Sequence, residues 1–310
     1  MSDPIIILCP GQGAQHAGMA KAWASLSIEA AKTFRHADEI VGDSLGTPLS
    51  NICFEGPDTT INRTDVAQAA IYTASIACLR ALIERGTIDL ANLKAVAGLS
   101  LGEYTALHLA GVFSFEDGLR LVLQRGRFMQ EAAQTSDSSM VALIGADEPQ
   151  ANALCDAARV PGGVLVPANF NCPGQIVISG DSASCAAAVT NASDMGLRAT
   201  ALSVAGAFHS PLMQTAADRM GDALSRVGFE PPRIPVLSNV TGQPHGADTA
   251  QIKQLLVQQI TGAVRWEHNV RWLIANQTGR YIEPAPGKVL SGLMRRIDKA
   301  TKVENFAEPA

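Results

Sequence analysis

The sequence predicts an α/β protein: a short, mostly parallel sheet flanked by helices, like the core of an α/β-hydrolase, with a small ferredoxin-like unit inserted into it. Three observations lead there. Two short apolar runs, Ile5 to Cys9 and Leu93 to Ala97, each end in a glycine-rich turn with a helical pattern behind it, as buried parallel strands do. The second turn is Gly98-Leu99-Ser100-Leu101-Gly102, a G-x-S-x-G sequence of the kind that lifts a serine hydroxyl clear of a sheet edge. Between residues 136 and 204 the pattern changes to the order β-α-β-β-α-β of a ferredoxin-like module.

In chain order, Ile5 to Cys9 reads as the first buried strand, and Pro10-Gly11-Gln12-Gly13-Ala14-Gln15 as the loop at its carboxyl end. A helical pattern begins near Met19, and a long helix is expected over Val66 to Arg85. Leu93 to Ala97 is the second strand. Helices follow over Tyr104 to Ala110 and Glu116 to Ala133, with Asp117, Arg120, Gln124 and Arg127 on a polar face. The inserted unit reads as strand Met140 to Ile144, helix Pro149 to Ala158, strands Val164 to Ala168 and Gln175 to Ser179, helix Ala183 to Met195 and strand Arg198 to Val204. A helix over Leu212 to Val227, a strand over Pro235 to Ser238 and C-terminal helical segments complete the chain. The expected division is 1–135 with 205–310 for the large unit and 136–204 for the small one.

Composition narrows the function classes. The 310 residues are 47% hydrophobic and 17% charged, a globular balance without a low-complexity tract. A net charge of −5 argues against broad nucleic-acid or membrane-surface binding. No uncharged apolar run reaches the roughly 18 residues of a membrane span, and the N-terminus lacks the basic flank of a signal sequence. Cys9, Cys53, Cys78, Cys155, Cys172 and Cys185 form no C-x-x-C pair and read as reduced thiols of a cytoplasmic protein. Histidines and cysteines do not cluster at ligand spacings, so no metal or redox cofactor is expected.

Ser100, at the mouth of a helix whose first N–H groups are unpaired, is a candidate nucleophile. Its candidate base is His209, in the loop Ala205-Gly206-Ala207-Phe208-His209-Ser210-Pro211 between a strand and a helix. His245 and His268 sit among polar residues with no obvious partner. The Gly11 to Gln15 loop has neither the G-x-G-x-x-G spacing of a dinucleotide site nor a P-loop lysine.

Five motifs together resemble the malonyl-CoA:acyl carrier protein transacylase family, which includes the acyltransferase domains of polyketide synthases. They are Pro10 to Gln15, Gly98 to Tyr104, Gln124-Arg125-Gly126-Arg127-Phe128-Met129-Gln130, Gly206 to Ser210, and Gln259-Ile260-Thr261-Gly262-Ala263-Val264-Arg265-Trp266. Asn169 to Gln175 resembles a sixth.

The resemblance implies that Ser100 takes a malonyl group from CoA as an ester while His209 accepts its proton. It implies a backbone carbonyl, that of Gln259, as the group orienting the histidine in place of a carboxylate. It further implies an oxyanion site from the backbone N–H groups of Gln12 and Leu101, a guanidinium at Arg125 for the malonyl carboxylate, and a pocket-narrowing ring at Phe208. Leu99 departs from the family, which usually has histidine there. The implied partners are a CoA thioester and an acyl carrier protein, and the enzyme itself is expected to be a monomer; Lys288, Arg295 and Arg296 are candidates for a basic docking surface. Fatty acid synthesis and a trans-acting role on a polyketide assembly line both remain open. A serine hydrolase would instead carry an acid between serine and histidine and have no use for Arg125, and a non-catalytic binding module would form no covalent adduct.

Overall fold

The computed structural model describes residues 3–309. Its larger sheet contains β1 (Ile5–Cys9), β2 (Leu93–Gly98), β7 (Val236–Leu237), β8 (Arg280–Pro284) and β9 (Val303–Phe306) in the order β7-β2-β1-β8-β9. Every pairing in it is parallel. Such a sheet needs cover on both faces. On one face Ile5, Ile7 and Cys9 join a large apolar cluster, and on the other Ile6 and Leu8 join a second cluster with Leu99, Trp266 and Leu290.

A second sheet holds β3 (Ser138–Ile144), β4 (Leu165–Cys172), β5 (Gln175–Asp181) and β6 (Arg198–Ala201), ordered β4-β5-β3-β6 and antiparallel throughout. This is the strand order of the ferredoxin-like arrangement. Its side chains alternate with the period of two. Met140, Ala168 and Val177 face the large apolar cluster, while Val141, Leu143, Ile176 and Ile178 face the unit's own helices. Hydrogen bonds Val264 N–H to Ala168 O (2.8 Å) and Phe170 N–H to Val264 O (2.9 Å) join β4 to the chain that follows.

Several boundaries differ from expectation. β4 runs to Cys172, four residues beyond the expected end, because its pairing with β5 continues through two irregularities in register. β6 stops at Ala201, where its pairing with β3 ends. The expected helix 212–227 is a 3₁₀ turn at Pro211–Met213 followed by a helix over Gln214–Ser225. The helix Thr64–Glu84 is long and apolar enough, by length and composition, to cross a membrane, but 89% of that stretch is buried within the protein. It is the central helix of the core. Helix Phe115–Gln134 lies against it at a distance set by glycine: a Cβ on Gly126 would stand 2.7 Å from Thr64 O, and one on Gly118 would stand 2.1 Å from the Tyr72 hydroxyl. That close approach carries Arg125, next to Gly126, to Gln68 on the central helix.

Candidate active site

The turn after β2 is forced by two glycines. A Cβ on Gly98 would fall 1.9 Å from the carbonyl of Gly102, and one on Gly102 would fall 2.2 Å from Cys9 O on β1. No larger residue fits at either position, so the chain leaves β2, turns at Ser100 and enters helix Gly102–Leu109 within one tight bend. Ser100 holds φ at 51°, a left-handed conformation that a non-glycine residue adopts at a cost of about 1–2 kcal/mol. The hydroxyl therefore projects from the sheet edge and is partly exposed. Gly11 brings the first loop against the second, since a Cβ there would stand 2.2 Å from Leu99 O. Gln12, the next residue, lies at this junction. Leu99, Ser100 and Gly102 donate their N–H groups to Cys9 O, Asn239 Oδ1 and Leu99 O. Leu101, between them, has no such acceptor among the described residues and sits at the mouth of the helix.

His209 also has a left-handed backbone, with φ of 57°. Its loop is pinned on both sides: Ala207 N–H donates to Ser138 Oγ at 3.1 Å, and Ser210 Oγ donates to Ala207 O at 2.7 Å. The ring is 2.9 Å from Ser100 Oγ through Nε2 and 2.7 Å from Gln259 O through Nδ1. A carbonyl can only accept, so Nδ1 carries the proton and Nε2 presents its lone pair to the serine hydroxyl. Burial, and next the positive charge of Arg125, bring the imidazole down from 6.5 to about 4 against the opposing bond to Gln259 O. The ring is neutral at physiological pH and ready to accept a proton.

Arg125 is 1% exposed, and among the described residues no carboxylate forms an ion pair with it. Its Nη1 donates to Gln68 Oε1 at 2.6 Å, and its Nη2 donates to Gln259 Oε1 at 2.8 Å and Ser100 Oγ at 3.1 Å. Its Nε–H meets no acceptor among the described residues. Burial opposes its charge. A guanidinium held in this way, with neutral amides as its chief partners and spare donors beside a serine, is a receptor for an anion.

Gln259 touches every part of this arrangement. Its main-chain oxygen orients His209 and its side-chain oxygen holds Arg125. Its Nε2 donates to Ser100 O at 3.0 Å and to Glu103 Oε2 at 2.6 Å. Glu103, also 1% exposed, accepts from Asn239 N–H at 3.1 Å and pairs with His245 Nε2 at 2.7 Å. His245 is thus buried and partnered, contrary to the polar surroundings expected of it; its neighbours in sequence are polar, but its ring turns inward to a carboxylate from another element. Asn239 and Gln68 lie outside every motif, and Glu103, inside the Gly98 to Tyr104 motif, had no role of its own assigned to it. An acid in the first turn of helix Gly102–Leu109 is the sequence signal that could have pointed to this network.

A model of the acyl transferase domain matches residues 6–304. The chain belongs to this acyl transferase family. Among its curated relatives are the malonyl CoA-acyl carrier protein transacylases of Bacillus subtilis (strain 168), 38% identical over 98% of this chain and 94% of the relative, and of Salmonella typhimurium, 37% identical over 97% and 95%. Among solved structures, the acyl-carrier-protein S-malonyltransferase of Bartonella henselae superposes with a TM-score of 0.92 at 40% identity, covering 98% of this chain and 96% of that one. A type II PKS acyl-carrier protein in complex with its malonyl-transacylase gives 0.91 at 33% identity, over 99% and 96%.

In this acyl transferase, Leu99 packs into the apolar cluster on the far face of the sheet. Phe208 is 6% exposed and belongs to the main cluster beside the site. Lys288 and Arg295 are exposed, whereas Arg296, also exposed, binds Gln175 Oε1 and Pro173 O at 2.9 and 3.2 Å and so ties its helix to the β4–β5 turn.

Proposed function

We propose that this acyl transferase moves a malonyl group from CoA to the phosphopantetheine thiol of an acyl carrier protein through an ester on Ser100. One observation carries the reading: the buried Arg125 guanidinium, without a carboxylate partner among the described residues, stands 3.1 Å from the Ser100 hydroxyl. A malonyl ester places its free carboxylate one methylene from the ester carbon, within reach of that guanidinium. An acetyl group would leave the charge unanswered.

In the first half-reaction His209 Nε2 takes the Ser100 proton as Oγ attacks the thioester carbonyl, and the oxyanion is met by the N–H groups of Gln12 and Leu101. Collapse breaks the carbon–sulfur bond and the imidazolium returns the proton to the CoA thiolate. The carrier thiol then repeats the sequence in reverse, giving up its proton to His209 and releasing Ser100. Gln259 O stabilises the imidazolium in both directions, the part a carboxylate plays in other serine enzymes. Phe208 narrows the acyl pocket. No step uses a metal or redox group.

The protein, as we read it, is a monomer, works in the cytoplasm, a compartment that its six buried and unpaired cysteines support, and supplies extender units for fatty acid synthesis. Residues 136–204 form its smaller subdomain. Lys288 and Arg295 remain candidates for contact with the acidic carrier. The similarity to a transacylase in complex with a type II PKS acyl-carrier protein makes a polyketide pathway the second reading.

Incubation with malonyl-CoA, with and without holo acyl carrier protein, tests the proposal. Malonyl-carrier formed in place of free malonate supports it, and malonate released at the same rate in both would make the protein a hydrolase. A panel of carriers separates the two pathways.

A further inference from the structure

β7 is two residues long and pairs only Val236 and Leu237 with Val96 and Ala97 of β2. The ladder does not stop there. Two residues further on, the Asn239 side chain takes the place of a strand: its Nδ2 donates to Gly98 O at 2.7 Å and its Oδ1 accepts from Ser100 N–H at 2.6 Å. These are the carbonyl and amide on either side of Leu99, the groups a further paired residue would engage.

Asn239 is itself fully enclosed, at 0% exposure, and fixed by its own main chain. Its N–H donates to Glu103 Oε2, and its carbonyl accepts from Arg265 N–H at 2.8 Å. Arg265 lies on the segment that continues from Gln259. Glu103 is held in turn by His245 and by the Gln259 amide. The bracket on the serine turn and the residue that orients the histidine therefore share one buried carboxylate.

We propose that Asn239 is a positioning residue that holds the left-handed Ser100 turn in its reactive geometry, with Glu103 anchoring it. The proposal rests on Ser100 being the acylated residue. Among the described residues Asn239 makes no hydrogen bond to Arg125, so it sets how well Ser100 reacts, not which acyl group is chosen. A purely structural residue would change stability without changing reactivity per folded site.

Asn239→Asp keeps the acceptor for Ser100 N–H but turns a carboxylate oxygen toward Gly98 O. Asn239→Leu removes both polar atoms at similar volume. In each, the rate of acyl-serine formation per folded site, measured by rapid quench with malonyl-CoA and with acetyl-CoA, should fall about 10²-fold. The ratio between the two donors should stay within about twofold. Labelling of Ser100 by a fluorophosphonate, which needs no acyl-CoA, should slow in parallel.

Rates within about threefold of the unsubstituted protein, or a loss confined to malonyl, would overturn the proposal. If the unsubstituted protein labels with fluorophosphonate but never takes a malonyl group, the function proposed above fails while this test still reads. Should both variants fail to fold, hydrogen exchange in the unsubstituted protein decides: slow exchange of the Ser100 amide supports the bracket, and exchange at the rate of an open turn refutes it.

Discussion

Around Ser100 the side chains of Glu103, Arg125, His209, Asn239 and Gln259 are all buried and answer one another. In the antiparallel sheet the defining polar groups sit instead at helix starts. Asp147 caps one helix by accepting from Gln150 N–H while its own N–H donates to Gln150 Oε1, and Asp181 caps the other by accepting from Ser184 N–H. The first region buries charge and holds two non-glycine residues in left-handed backbone, features that cost stability and persist only where neighbours enforce them. The second satisfies its helix ends cheaply and locally. Substitutions in the first should therefore reduce activity more than stability, and in the second the reverse.

The sharpest break in that contrast is expected at His209. Asparagine tolerates left-handed backbone but cannot act as a base at neutral pH, so His209→Asn should fold and lose about 10³-fold or more in acyl transfer, measured as malonyl-carrier formed. Arg125→Ala comes next. Two charge-assisted hydrogen bonds at about 1.5–3 kcal/mol each place its loss near 10²–10⁴-fold with malonyl-CoA, against less than about tenfold with acetyl-CoA. Equal losses would remove Arg125 from substrate choice.

A smaller effect is carried by pH. The base must be neutral to act, and burial together with Arg125 holds His209 down at about 4. The acidic limb of kcat/KM should therefore lie near 4 and not near the ordinary imidazole value of about 6.5. A bound malonyl carboxylate offsets the charge of Arg125, so the limb in kcat should lie higher. Stability follows the same sign. The unfolded chain binds the proton that the buried ring refuses, so the His209 contribution is full above about 6.5 and is lost as pH falls toward 4.

The mildest functional effect is expected in the small unit. Burial alone would raise the Asp181 carboxyl, but bonds from Ser184 N–H, Ser184 Oγ and Val164 N–H bring it below the usual range. Asp181→Ala should cost about 1–2 kcal/mol by urea denaturation and leave kcat within about twofold.

The same contrast explains what could be read from the sequence. The antiparallel unit was legible because alternation, caps and turns are local signals. Ser100, His209, Arg125 and the Gln259 carbonyl were legible because their neighbours form motifs, and the structure brings all four together. The pairing of Asn239 with Glu103 was not, although Glu103 lies within the Gly98 to Tyr104 motif: the two are 136 residues apart and meet only through the fold. His245 was misjudged for the same reason, its partner being 142 residues distant.

The central claim is a malonyl ester on one serine. Intact-protein mass spectrometry after mixing with malonyl-CoA, followed by peptide mapping, tests it most directly. The account predicts a single malonyl adduct on the peptide containing Ser100, absent from Ser100→Ala and discharged by holo acyl carrier protein. An adduct elsewhere, or turnover by Ser100→Ala at the unsubstituted rate, would contradict it.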